Sequence, residues 1–365
     1  MTGDQTAEPG RMTGDPSAEP AALTVEDLVV EYPVARSRRP LRAVDGLSLT
    51  VEAGSTFGLI GESGSGKSTV ARAVMGLAPV ASGDIRVSGQ RLHELKGRRR
   101  RVARRRVQMV FQDPHDSLDP RMTAGRSIAE PLVAVDRSAR AGAEARIRSL
   151  LERVGLDPEL ADRKPYGLSG GQKQRVNIAR ALAPEPDLLI CDEAVSALDV
   201  SVQAGVLNLL LDLQTDLGLA YLFISHDIGV VAHLAEVIGV MYLGRLVEVA
   251  PTVDILSRPR HPYTEALLAA EPEAVPRAYR RAGARPLGGD IPSPLDPPSG
   301  CRFRTRCPYA EARCAEQSPP LVPSGAGSVA CHFADSLHLS GRASVAVPAG
   351  PPPDPAVTPI LEDQP

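Results

Sequence analysis

The chain lacks any stretch that could cross a bilayer. No uninterrupted apolar run approaches the roughly 18 to 20 residues required, and the best candidate, residues 228–243, is broken by His233 and Glu236. The opening residues, MTGDQTAEPGRMTGDPSAEPA, have neither a basic start nor an apolar stretch, so no secretory leader is expected. A membrane role therefore has to come through partner subunits. Net charge is also small: 41 basic against 44 acidic residues leaves −3, which demands neither nucleic acid nor an anionic membrane as partner. Cysteine is scarce, with five in 365 residues, too few for a disulfide scaffold at this size. Four of the five nevertheless crowd into residues 301–331.

What is present is an alternating pattern. Residues 23–32 and 47–51 carry short alternating or β-branched stretches, expected as antiparallel strands joined by a loop at 33–41. Phe57–Ile60 runs into glycines and then a helical stretch at 69–77. Leu188–Cys191 follows another helical stretch, and Ala220–Ile224 follows an apolar-periodic helix at 203–217. Buried strands alternating with helices predict a parallel α/β core. Residues 126–164 read as mainly helical, and from about 256 onward Pro and Arg become frequent while periodicity weakens. The expected organisation is a disordered tail at 1–22, a core at 23–255 with a helical insertion at about 113–167, a compact Cys-bearing extension at 256–335, and a Pro-rich disordered tail at 336–365.

GESGSGKS at 61–68 fits the pattern G-x-x-x-x-G-K-[ST] and lies between a predicted strand and a predicted helix, the context such a loop needs. Its physics is direct. Gly61, Gly64 and Gly66 let backbone N–H groups wrap phosphates, the following helix N-terminus favours an anion, and Lys67 neutralises the terminal phosphates. Ser68 is the expected magnesium ligand, and Glu62, Ser63, Ser65 and Thr69 complete the nucleotide-binding stretch. LLICDE at 188–193 ends an apolar strand in two carboxylates: Asp192 is expected to hold magnesium through its water shell and Glu193 to polarise an attacking water.

Between them lies LSGGQ at 168–172, followed by KQRVNIARAL. This pentapeptide, ahead of an acidic-ended strand in a chain with a phosphate loop, resembles the signature of the ABC ATPase family. The resemblance implies a P-loop NTPase (ABC ATPase) core with an antiparallel β subdomain and an inserted helical subdomain. It further implies that Ser169, Gly170, Gly171 and Gln172 cap the γ-phosphate bound by an opposite subunit. Gln112 in MVFQDP resembles the Q-loop glutamine reaching magnesium and water. Asp199 in SALD resembles the D-loop residue, His226 in FISHD the switch histidine, and Tyr32 the aromatic platform for adenine.

SLDPRMT at 117–123, residues 192–204, HPYTEALL at 261–268 and the cysteine cluster narrow the resemblance to the oligopeptide/dipeptide importer branch, in its F-type subunit class. That branch implies ATP and Mg2+ as ligands, a second ATPase subunit (identical or paralogous), two integral-membrane permeases, an indirect link to a substrate-binding protein, and a place on the cytoplasmic face of the membrane. Two other readings stand beside peptide import: an importer of another solute such as nickel, and a soluble ABC ATPase of DNA repair or translation. Against the latter, roughly 100 residues separate phosphate loop and signature without sustained heptads, and a single ATPase domain is present.

Cys301, Cys307, Cys314 and Cys331 form C-x5-C-x6-C-x16-C, unlike the paired C-x2-C knuckles of common zinc sites. A [4Fe-4S] cluster, a zinc ion and unligated thiols are the three readings. The branch resemblance and the cations Arg302, Arg304 and Arg306 favour the cluster, whose negative charge cations offset. The basic run Lys96, Arg98–Arg101 and Arg104–Arg106 lacks the interleaved aromatics of a single-strand binder. It reads as a solvated or lipid-headgroup-facing surface, and no nucleic-acid partner is expected.

Overall fold

The computed structural model describes residues 20–35, 39–92, 94–112, 117–135, 142–270 and 288–342. Most of the two expected tails, at 1–19 and 343–365, lies outside the described residues, as do 113–116 and 136–141 of the expected helical insertion.

Alternation produces the first sheet. In β1 (Leu23–Tyr32) Leu23, Val25, Leu28 and Val30 are buried, and β2 (Leu41–Val51) runs antiparallel beside it with Val44, Leu47, Leu49 and Val51 buried. β2 starts at Leu41, earlier than the expected Leu47. Its first residues, LRAVDG, show little alternation and are held by a cross-strand ion pair, Arg42 Nε to Glu31 Oε1 at 2.6 Å. After β3 (Thr56–Ile60) and α1 (Lys67–Val74), β4 (Val80–Val87) pairs back on β1 and β5 (Gln90–Arg91) completes a four-stranded antiparallel sheet in the order β2-β1-β4-β5.

α2 (Gly97–Ala103) carries the arginine run into β6 (Val107–Val110). α3 (Ala124–Val135), α4 (Ala143–Arg153) and two 3-10 turns at Pro158–Asp162 and Pro165–Gly167 make up the helical insertion. α5 (Gly170–Leu182) then returns the chain to β7 (Leu188–Asp192). α6 (Val200–Leu217) begins before the expected residue 203 because Asp199 caps it, its Oδ1 accepting the Val202 N–H at 3.0 Å; the helix ends where Gly218 adopts φ +64°. β8 (Ala220–Ser225), α7 (Ile228–Leu234), β9 (Val237–Tyr242), β10 (Arg245–Pro251), α8 (Thr252–Ser257) and α9 (Pro262–Ala270) follow. α10 (Ala312–Glu316) and the hairpin β11 (Val322–Ser324) and β12 (Gly327–Val329) complete the described chain.

The second sheet has eight strands in the order β11-β12-β10-β9-β3-β8-β7-β6. β9, β3, β8, β7 and β6 are mutually parallel, whereas β10, β12 and β11 extend one edge antiparallel. Period-two geometry divides the core between its faces. Leu188, Ile190, Leu222 and Ile224 join Phe57, Leu59 and Val70 under the antiparallel sheet. Their neighbours Leu189, Cys191, Tyr221 and Phe223 join Val176, Ile178 and Val231 on the other face. Each such side chain, fully removed from water, contributes about 1.5–3 kcal/mol. Because β12 hydrogen-bonds to β10, the Cys-bearing extension is stitched into the same sheet as the phosphate-loop strand.

Candidate functional site

Four adjacent parallel strands end at one rim. Ile60 of β3 lies beside Ser225 of β8, Asp192 of β7 beside Ile224, and Val110 of β6 beside Cys191. The loop at 61–66, the pair Asp192–Glu193, Gln112 and His226 each leave one of these carboxyl ends, where open α/β sheets bind ligands.

The loop can wrap an anion only with glycine at its tightest points. Gly66, the N-cap of α1, adopts φ +107°, and a Cβ there would run into the Ala43 carbonyl. Lys67 Nζ donates to the carbonyls of Gly61 at 2.7 Å and Glu62 at 2.9 Å, bridging the loop. Burial lowers the Lys67 pKa, while Glu193, Asp192 and Glu62 pull it back up. Ser68 Oγ donates to Asp192 Oδ1 at 2.9 Å. Burial raises the Asp192 pKa and the neighbouring Glu193 adds to it, against the Ser68 hydrogen bond. A hydroxyl and a carboxylate side by side form an oxygen donor set that suits Mg2+.

Glu193 leaves β7 with φ +49°, a left-handed conformation unusual for a side-chain-bearing residue, and its N–H donates to the Ile224 carbonyl at 2.9 Å. Its carboxylate is thereby turned toward two partners: Gln112 Nε2 lies 2.7 Å from Oε2 and His226 Nδ1 lies 3.5 Å from Oε1.

The signature is elsewhere. Ser169 and Gln172 form a reciprocal capping box on α5, with Ser169 N–H to Gln172 Oε1 at 2.9 Å and Gln172 N–H to Ser169 Oγ at 3.2 Å. A Cβ on Gly171 would lie 2.6 Å from Val202 Cγ1, so the signature packs on the start of α6, which Asp199 caps. Thus the structure brings together Lys67, Ser68, Asp192, Glu193, Gln112 and His226. Ser169, Gly170, Gly171, Gln172 and Asp199 make a second locus, and Tyr32 packs at the end of β1.

Contacts with no signal in the sequence brace this region from outside. Arg306 pairs with both Glu62 oxygens, and Tyr263 accepts the Glu62 N–H at 2.8 Å. Arg302 pairs with Asp45 and the Leu243 carbonyl. Of the three arginines expected beside the cysteines, Arg304 lines their cavity, whereas Arg302 and Arg306 pair with Asp45 and Glu62. The only sequence signal for Tyr263 was its place in the HPYTEALL stretch.

Cys301, Cys307, Cys314 and Cys331 all line that one cavity, with Phe303 and His261 in its wall. Burial pushes the Cys307 thiol up to about 12 and raises Cys301 and Cys331 as well. Among the described residues no group of three or more His, Cys, Asp or Glu side chains is arranged to hold a metal ion. Among the same residues no helix is long and apolar enough to cross a membrane. On α2, Arg98–Arg101 are exposed, and Arg106 pairs with Asp187 at 2.5 Å.

Residues 44–196 match the model of the family described as ABC transporter, and residues 247–314 match that described as Oligopeptide/dipeptide transporter, C-terminal region. The chain is 50% identical over 337 residues to the "Probable peptide ABC transporter ATP-binding protein y4tS" of Sinorhizobium fredii, covering 89% of this chain and 95% of that protein. It is 45% identical over 323 residues to the "Oligopeptide transport ATP-binding protein OppF" of Escherichia coli, covering 86% and 97%. Among solved structures it is similar to the dimeric post-hydrolysis state of the ATP-binding cassette MJ0796 bound to ADP and Pi. That likeness has a TM-score of 0.56 and 28% identity, over 63% of this chain and 98% of that one.

Proposed function

We propose a function on the premise that this chain belongs to the ABC transporter ATP-binding family, in its oligopeptide/dipeptide branch: it binds and hydrolyses ATP to drive peptide import. In our reading it works on the cytoplasmic face of the membrane, paired with a second ATPase subunit beneath two permeases that receive cargo from a binding protein. The observation that carries the reading is the hydrogen bond of Gln112 to one oxygen of Glu193, with His226 beside the other, at the rim that also holds Lys67, Ser68 and Asp192.

In this reading the residues take the roles that the family resemblance implies. Lys67 leaves its loop carbonyls for the terminal phosphates, a charge-assisted exchange. Ser68, Asp192 and Gln112 would hold Mg2+, which would neutralise phosphate charge. Glu193 orients and polarises the attacking water, and Gln112 and His226 keep its carboxylate aimed. Ser169, Gly170, Gly171 and Gln172 face the nucleotide of the second subunit, which accounts for their standing apart from this chain's own loop, and Asp199 lies at the same joint. Tyr32 stacks on adenine.

The cysteines hold a [4Fe-4S] cluster in this reading. The support for this reading is that the four thiols line one cavity, and four thiolates are the ligand set of such a cluster. Anaerobic purification should yield brown protein with iron and sulfide; colourless, zinc-bearing protein would overturn the cluster.

The deciding experiment is ATP turnover by the chain co-purified with its membrane partners, with and without the cognate binding protein and a panel of short peptides. Stimulation by peptides is expected. Stimulation by nickel or another solute alone would reject peptide cargo, and absence of any membrane partner would reject the assembly.

A further inference from the structure

Glu62 occupies a variable position of the phosphate-loop pattern, where anion chemistry demands no particular side chain. Yet its peptide is fixed on three sides. Its carboxylate takes two hydrogen bonds from Arg306, Nη1 to Oε2 at 2.6 Å and Nη2 to Oε1 at 2.9 Å, with the Arg306 side chain only 4% exposed. Its N–H donates to the Tyr263 hydroxyl at 2.8 Å, and its carbonyl accepts from Lys67. Two of these restraints come from the C-terminal extension. The loop supplies the Lys67 bond and a second one, from the Ser65 N–H to the same carbonyl at 3.2 Å, and Lys67 must release its own to meet phosphate.

Both outside residues are themselves braced. The Tyr263 ring is fully buried, 4.7 Å from Tyr242 and 5.3 Å from Phe303 between centroids. Its N–H donates to His261 Nδ1 at 3.0 Å, while the His261 and Arg260 N–H groups donate to the Glu248 carboxylate of β10 at 3.0 and 2.8 Å. The Arg306 guanidinium lies 5.9 Å from the Tyr242 ring centroid, close enough for a cation–π contact. A fork-like guanidinium on a carboxylate and a phenol on a main-chain N–H fix direction as well as distance.

We infer that Tyr263 and Arg306 are positioning residues for ATP binding: from the C-terminal extension they hold Glu62, and with it the phosphate loop, in its binding shape once Lys67 has moved to the nucleotide. This rests on the ATPase reading above. Preorganisation lowers the ordering cost of binding, so its loss appears in affinity rather than in the chemical step. The Tyr263 bond also withdraws the Glu62 N–H from the phosphate donors, leaving those after it to face the anion.

The test uses the full chain and a fluorescent ATP analogue, with steady-state ATP turnover in parallel. Tyr263→Phe keeps the ring and removes the hydroxyl; Arg306→Lys keeps the charge and removes the fork. Each should weaken nucleotide binding about three- to tenfold and raise KM by a similar factor, with kcat at saturating ATP and the urea midpoint retained. Glu62→Gln should weaken binding comparably, and adding Arg306→Lys to it should cost little more, since both act through one pair. Wild-type affinity in Tyr263→Phe and Arg306→Lys, or a fall in kcat with KM unchanged, would overturn the inference. A wild-type chain that binds no ATP sinks the ATPase reading itself, so the two failures are told apart before any variant is made.

Discussion

Gln112 donates its side-chain amide to Glu193 Oε2 at 2.7 Å, joining the second residue after β6 to the first after β7 across the rim of the sheet. A carboxylate held in this way has one oxygen committed to Gln112 and the other near His226. Glu193→Gln should therefore leave ATP affinity near wild type and cut turnover by about a hundredfold or more. ATP-bound dimers should accumulate, as read by light scattering. Undiminished turnover would remove Glu193 from its role.

Lys67→Ala acts at an earlier step. It deletes the strut between the Gly61 and Glu62 carbonyls and the charge proposed to meet the terminal phosphates, so ATP affinity should fall about tenfold or more in a direct binding titration.

Ser68→Ala removes the hydroxyl beside Asp192. Binding of ATP without magnesium should change little, while the magnesium concentration needed for half-maximal turnover should rise several-fold. An unchanged magnesium requirement would exclude Ser68 as a ligand.

Asp45 tests the fold rather than the site. It is buried between Arg302, Arg245 and Arg42; burial alone would raise its carboxyl, but Arg245 and Arg302 overcome this and hold it below the ordinary 3.8. A lowered folded-state pKa gives stability that is complete above 3.8 and is lost as pH falls through the lower folded value. Asp45→Asn should reduce stability by about 3 kcal/mol at neutral pH by stranding a buried arginine. It should also flatten the acid limb of the urea midpoint below about pH 4.

Gly239→Ala should separate folding from function. In β9 a Cβ at this position would lie 2.8 Å from Phe57 Cζ and 3.1 Å from Leu246 Cδ2. Overpacking should lower stability by about 1–3 kcal/mol, seen in thermal unfolding, with KM for ATP unchanged.

The parts legible in the sequence are those whose chemistry is local. A phosphate loop must place its glycines, lysine and hydroxyl within a few residues, and a buried strand ending in Asp192 and Glu193 declares itself by its apolar run. The first half of β2 was hidden because Arg42 and Asp45 earn their places through partners on β1, on β10 and in the extension, not through alternation. The Arg306–Glu62 pair spans 244 residues, so nothing near either residue announces it. The bond from Gln112 to Glu193 was not legible, since the resemblance assigns Gln112 to magnesium and water; it becomes visible only once β6 and β7 lie side by side and Glu193 leaves β7 at φ +49°.

The hairpin of β11 and β12 closes one flank of β10 through residues Glu248 and Val249. A shortened protein ending near residue 255 would keep every nucleotide-facing motif and still present β10 as a naked ladder of main-chain donors and acceptors. Such ladders recruit strands from neighbouring molecules. Solubility of the catalytic half is thus a property lent by its C-terminal half, and engineered fusions need to carry residues 322–329 along with the motor.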